Sequence, residues 1–179
     1  TLPQPPPPPA NDLKTNLVLG VESLRAAQVL RDDRILFYES PTQLNFYQHH
    51  RWSSDPASMV SELVARKLSQ MAIFAEVRRM PSRDPVDFVL KGQLLSFEEV
   101  DDGTGVKGRV GLELTLVRSR DHKVVWSDTR RVERAAQDKG VPGVVTALNA
   151  ASEQLLGEAL AGLAAQVERE FAQQSGKSQ

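Results

Sequence analysis

Few residues in this sequence have the type and spacing to do chemistry. His49, His50 and His122 are the only imidazoles. His49 and His50 are adjacent, so on a strand they point to opposite faces and cannot easily share an ion. A zinc site needs several converging ligands. Asp101-Asp102-Gly103-Thr104-Gly105 is like a calcium loop only superficially, since such a loop needs about six spaced oxygen ligands and a distal Glu. It reads as a hairpin turn. Glu98 and Glu99 are neighbours, which on a strand puts them on opposite faces, the wrong geometry for paired acid–base work. The chain has no cysteine, so thiol catalysis, thiolate metal sites and disulfides are excluded within it. It has no Gly-x-Ser-x-Gly elbow and no phosphate-binding GxxxxGK[ST] loop, so it does not read as a P-loop ATPase. These patterns predict a protein that is not an enzyme, without metal or other cofactor, that works by contact.

Candidate contact residues centre on Arg51-Trp52. One reading is structural: Trp52 covers the start of the following helix and Arg51 stacks or pairs nearby. The other has the loop from Tyr47 to Ser54 facing a partner, since Tyr, Arg and Trp are enriched at interface hot spots. Arg78-Arg79 and Arg130-Arg131 fit anionic headgroups or simply solvated strand faces.

The elements that position these residues follow from periodicity. Leu17 to Leu24 alternates as a half-buried strand. Residues 25–33 read as a connection. Arg34–Glu39 and Leu44–Gln48 are strands separated by the turn residues Ser40-Pro41-Thr42. Asp55 is an N-cap and Pro56 fits the first helical position. Met59, Val60, Leu63, Val64, Leu68 and Met71 then recur at helical spacing. Phe74–Arg79 is a short strand. Val86–Glu99, Val106–Val117 and Lys123–Arg134 form an antiparallel meander. A final helix runs from Pro142 to about Phe171, with alanines that permit close approach to a sheet. Gly157 and Gly162 each cost ~1 kcal/mol relative to Ala in a helix, which suggests a kink or a tight contact there. The fold class is α+β, one mostly antiparallel sheet with two helices on one face.

The 179 residues suffice for one ordinary domain with a core, and the composition, 40% hydrophobic and 25% charged, is globular. With a net charge of −1, nothing points to bulk nucleic acid as a partner, which would need a basic stripe. No run approaches the length of a membrane span. Residues 1–16 hold Pro3 and Pro5 to Pro9 and read either as a plain disordered terminus or as a tether favouring polyproline II, a semi-rigid spacer. The domain covers 17–172, and 173–179 form a disordered tail. The start at Thr1 without methionine is expected of a processed or trimmed terminus.

The core segment also resembles the ABC-type transport auxiliary lipoprotein family, which accompanies ABC-driven lipid transport systems carrying mammalian-cell-entry (MCE) domains. Arg34-Ile35, Tyr38, Tyr47, Arg51-Trp52, Pro56, Leu63, Leu68, Phe74 and Val77 carry the resemblance. It spans roughly residues 17–171 and is sharp between Arg34 and Val77. It implies a fold related to the amino-terminal domain of the translocation protein TolB. It further implies a non-enzymatic periplasmic subunit, held to the outer membrane by an amino-terminal lipidated cysteine that this sequence does not contain, and contacting an MCE-domain transport protein. The alternatives are a direct lipid carrier, which would need an enclosed apolar cavity, and a TolB-like envelope-assembly module. The resemblance also implies a homo-oligomeric ring. Leu95 and Phe97, with Val89 and Val117, are expected on the sheet face away from the helices as candidates for that contact.

Overall fold

The computed structural model describes residues 15–40 and 43–175. Its spine is the strand β6, Phe88–Asp101. Along one edge β6 pairs antiparallel with β7, Val106–Arg118, from Phe88↔Arg118 to Asp101↔Val106. β7 in turn pairs antiparallel with β8, Lys123–Ala135. This is the expected meander, and the turn between β6 and β7 places Gly103 and Gly105 at positive φ, where a residue without Cβ avoids strain.

The other edge of β6 is shared by three short parallel strands in succession. β1, Val18–Val21, lies along Phe88–Leu90. β2, Arg25–Ala26, lies along Gln93–Leu94. β3, Arg34–Ser40, reaches Glu99–Val100. Outside β1 runs β5, Glu76–Arg79, in parallel, and outside β3 runs β4, Gln43–Arg51, antiparallel. The long ladders are therefore antiparallel and the short ones parallel. The segment 25–33, expected as a plain connection, holds β2 and a 3-10 turn over Gln28–Arg31. A two-residue strand is too short to show alternation.

Helix α1, Pro56–Gln70, starts as its sequence dictates. The Asp55 carboxylate accepts the Ser58 amide at 3.0 Å and Pro56 occupies the first turn. Its buried stripe is Val60, Val64 and Leu68. Ser61, also buried, accepts the Leu24 amide and donates to the Ala57 carbonyl, fastening the helix to the strand end beneath it. Helix α2 spans Val141–Ser175, so residues 173–175 of the expected tail are helical and 176–179 lie outside the described residues. The amino-terminal boundary also shifts. Thr15 is buried and bonded to the Ile73 carbonyl, so it belongs to the domain, and the rest of the tether through residue 14 lies outside the described residues.

α2 packs chiefly on β7 and β8. Val144, Leu148, Leu155, Leu163 and Val167 are buried, and Ala147, Ala151 and Ala159 let the helix come close. A Cβ at Gly108 of β7 would stand 2.6 Å from the Leu148 amide nitrogen, so only glycine fits under the helix there. Gly157 has no such reason: a Cβ there meets nothing within 4 Å, which corrects the expected tight contact. Gly162 does face a neighbour, with Trp126 at ordinary contact distance.

One expectation fails for a specific reason. β6 shifts register between Leu94 and Ser96, so Leu95 is an extra residue opposite β7. A bulge reverses the alternation beyond it. Leu94↔Leu112 and Phe97↔Val110 consequently both face the core, and Phe97 is 5% exposed while Leu95 is 39% exposed. Phe97 does not lie on the outer face. Gly111, opposite the bulge, leaves room for Ser96 and Leu95 where a side chain would collide.

Candidate functional site

The segment from Asp32 to Trp52 is built around two acidic residues ahead of β3. The Asp32 carboxylate accepts three hydrogen bonds from Arg34, from its amide at 2.9 Å and from Nε and Nη2 at 2.8 Å. Those bonds hold Asp32 well below the usual carboxylate range. The Arg34 guanidinium lies 3.9 Å from the centroid of Phe46 on β4, a cation–π contact across the hairpin. Asp33 ties down the far end of β4. Its carboxylate accepts from Arg51 Nη1 at 2.6 Å and its carbonyl from the Trp52 amide at 2.6 Å.

Beyond that clamp the chain turns inward. The Trp52 indole meets the Phe97 ring edge to face, with centroids 5.4 Å apart, and joins the core. Its Nε1 is buried without a hydrogen-bond partner. Tyr47 is half-buried between Phe37, at 5.0 Å, and His50, at 6.0 Å. Its hydroxyl donates to Glu99 Oε2 at 2.7 Å. Burial, reinforced by the Glu99 carboxylate, pushes the phenol up to about 12. Arg51 and Trp52 thus take structural parts, while the Arg51 side chain remains 57% exposed beside exposed His49 and His50.

The structure therefore joins Trp52 with Phe97, and Tyr47 with Glu99, but sets Leu95 apart on the opposite face of the sheet. The basic pairs are largely engaged. Arg78 bonds Glu76 and Arg130 bonds Asp128 and Glu158, while Arg79 donates to the Ser61 carbonyl. Among the described residues, no group of three or more His, Cys, Asp or Glu side chains converges as a metal site would require.

Sequence reasoning missed the outer-face cluster at Glu98. Glu98 and Glu99 do point to opposite faces, but Glu98 is 6% exposed. Its Oε2 accepts the Phe97 amide at 2.7 Å, and Oε1 lies 3.8 Å from Arg109, which bonds Glu133. Burial raises the Glu98 carboxyl to about 7, against the pull of the Phe97 amide and of Arg109. The missing signal was the bulge at Leu95, three residues earlier, which sets Glu98 opposite Arg109 on the outer face rather than on the face of Leu90 and Leu94. A second feature is an open groove of 680 Å³ between α1 and α2. No described helix is long and apolar enough to cross a membrane.

Comparison with known proteins places this architecture. The family model described as "ABC-type transport auxiliary lipoprotein component" matches residues 1–159. Among functionally curated proteins, none matches significantly. Protein XCC0632 from Xanthomonas campestris is similar in structure, with a TM-score of 0.81 at 23% identity over 92% of each chain. The hypothetical protein CT253 from Chlamydia trachomatis has a TM-score of 0.60 at 10% identity, over 86% of this chain and 98% of that one. PelC from Paraburkholderia phytofirmans, solved as a dodecamer, has a TM-score of 0.51 at 18% identity, over 78% and 85%. These likenesses are of fold.

Proposed function

This chain belongs to the ABC-type transport auxiliary lipoprotein family, and from that membership we propose that it is a non-enzymatic periplasmic subunit attaching an MCE-type lipid transport apparatus to the outer membrane. The family match over residues 1–159 carries the reading. The chain acts by contact, through the exposed end of β4 around Arg51, with Tyr47 and Trp52 fixing its shape, and through Leu95 on the outer sheet face. A lipid anchor ahead of the proline-rich segment supplies the membrane attachment, and copies assemble as a ring. The dodecameric state of PelC supports assembly as a property this fold accommodates.

The packing of α2 favours an accessory subunit over a lipid carrier. A carrier needs an enclosed apolar space, whereas here Ala147, Ala151 and Ala159 bring α2 against the sheet and the cavity between the helices is open to one side. Co-purification of the lipidated precursor with its MCE-domain protein from envelope membranes is the test. Recovery of the MCE protein in stoichiometric amount is expected. A lipoprotein that elutes alone, or that carries one tightly held lipid per chain by mass spectrometry, refutes it.

A further inference from the structure

Strand β8 is the outer edge of the long antiparallel ladder. Among the described residues it pairs only with β7. Not one of its 13 residues is buried, whereas Val110, Leu112, Leu114 and Leu116 of β7 all are. Val124, near its start, is 61% exposed. One row of backbone N–H and C=O groups along β8 therefore points outward, a template for another strand.

Charge protects such an edge from indiscriminate pairing, and β8 carries Lys123, Asp128, Arg130, Arg131, Glu133 and Arg134. Their order decides which strand fits. Two copies of one strand that meet antiparallel share a two-fold axis, and the residue on that axis fixes the register. An axis through Asp128 sets that carboxylate opposite its own copy. One through Arg130 or Arg131 does the same for a guanidinium, and like charges directly opposite are destabilising. An axis through Thr129 instead sets Asp128 opposite Arg130, Ser127 opposite Arg131 and Trp126 opposite Val132, with no like charges opposed. Within one chain Arg130 bonds Asp128 at 2.5 Å and Glu158 of α2 at 3.0 Å. Across the axis each Asp128 gains a second guanidinium, and the four charges alternate in sign around a square. The strip is balanced as a whole, since Arg130 and Arg131 offset Asp128 and Glu158.

The helix layer accommodates the same axis. α2 packs on β7 and β8, about one strand spacing, ~4.8 Å, from it. Two copies of α2 would then run ~10 Å apart, a helix-packing distance, and α2 brings Gly162 to this level, beside Trp126.

We propose that β8 pairs antiparallel with β8 of a second copy, on a two-fold axis through Thr129. The pairing joins two sheets into one through about a dozen backbone hydrogen bonds. It is separate from the contact at Leu95 and holds whether or not the domain serves the transport role argued above.

The chain has no cysteine, so a single introduced thiol reports the register. In the full chain, Thr129→Cys places each thiol opposite its own copy, within disulfide reach. Ser127→Cys, also at an exposed position, leaves the two thiols four residues out of step, ~13 Å apart. Oxidised at equal concentration, Thr129→Cys is expected to form covalent dimers at least ~10-fold faster, the advantage of a high effective concentration. Charge exchange tests the pairing itself. Added to Thr129→Cys, either Asp128→Arg or Arg130→Asp opposes like charges and should remove that advantage. Mixing the two variants opposes unlike charges again and should restore it, in dimers holding one chain of each kind. Thermal melts establish that each variant is folded. Should Arg130→Asp, which faces Glu158, fail to fold, the two single cysteines still decide. Equal rates for Thr129→Cys and Ser127→Cys overturn the proposal. So does faster crosslinking of Ser127→Cys, and so does a mixture of folded variants that crosslinks no faster than its components.

Discussion

The Trp52 indole and the Phe97 ring meet edge to face at 67°, with centroids 5.4 Å apart. This contact joins the end of the β3–β4 hairpin to the spine strand beyond its bulge, and it packs the partly buried Trp52 against the core. Trp52→Ala is expected to cost about 3–5 kcal/mol. Trp52→Phe should cost far less, because it keeps an aromatic ring and removes the buried, unpartnered Nε1. Urea unfolding of both variants checks this, and equal losses would contradict it.

Leu95 and Phe97 should part company under the same substitution. Leu95→Glu leaves the domain folded, with a circular dichroism spectrum and thermal midpoint close to the original, and weakens assembly. Phe97→Glu buries an unpaired charge in the core and abolishes the folded state. Thermal melts with sedimentation velocity distinguish the two. An unfolded Leu95→Glu would show that the bulged residue is structural.

Glu98 predicts a pH dependence with a definite sign. Its folded pKa, about 7, lies above its unfolded value, so the native state holds the proton more tightly. This contribution to stability is full below the unfolded pKa and is lost as pH rises through about 7. The shift corresponds to about 3 kcal/mol as an order of magnitude. Glu98→Gln, which can still accept the Phe97 amide, should therefore gain stability over the parent at pH 8 and show little difference at pH 4. Denaturant titrations at the two pH values measure it, and a constant offset between them would rule it out.

Two glycines should respond oppositely to alanine. Gly108→Ala forces a Cβ against the Leu148 and Ala147 backbone at 2.6 and 2.9 Å and should destabilise by roughly 1–3 kcal/mol. Gly157→Ala meets nothing and should stabilise by up to ~1 kcal/mol through helix propensity. Thermal midpoints moving in the same direction would refute the contrast.

Much of this was legible in the sequence wherever a signal was long or chemical. The Asp55-Pro56 start of α1, the meander of β6 to β8 and the alanine-lined approach of α2 follow from capping, alternation and side-chain size. The family was legible from the Arg34–Val77 segment. The placement of Phe97 was not, because alternation counts residues and a single bulge at Leu95 changes the count without changing composition. β2 was hidden for the converse reason, since two residues carry no period. The same bulge sets Glu98 on the outer face opposite Arg109, so one local irregularity moves both Phe97 and Glu98 to the face that alternation would not give them.

The shared edge of β6 also dictates an order of assembly. β1, β2 and β3 do not pair with one another; β1 also pairs with β5 and β3 with β4, but the three are joined into one sheet only through β6. Everything before Phe88 can form local structure, such as the β3–β4 hairpin, the β1–β5 pair and α1, but these pieces remain unjoined to one another until β6 arrives. As the chain emerges amino terminus first from a ribosome or a translocation pore, the first half waits with open strand edges for a segment it does not contain. Pairing at such long sequence separation slows folding and leaves those edges open to capture by other chains. Chains truncated before Phe88 should accordingly be protease-sensitive and prone to aggregate, and those extended through Arg118 should be the first to show protected β1 amides in pulsed hydrogen exchange.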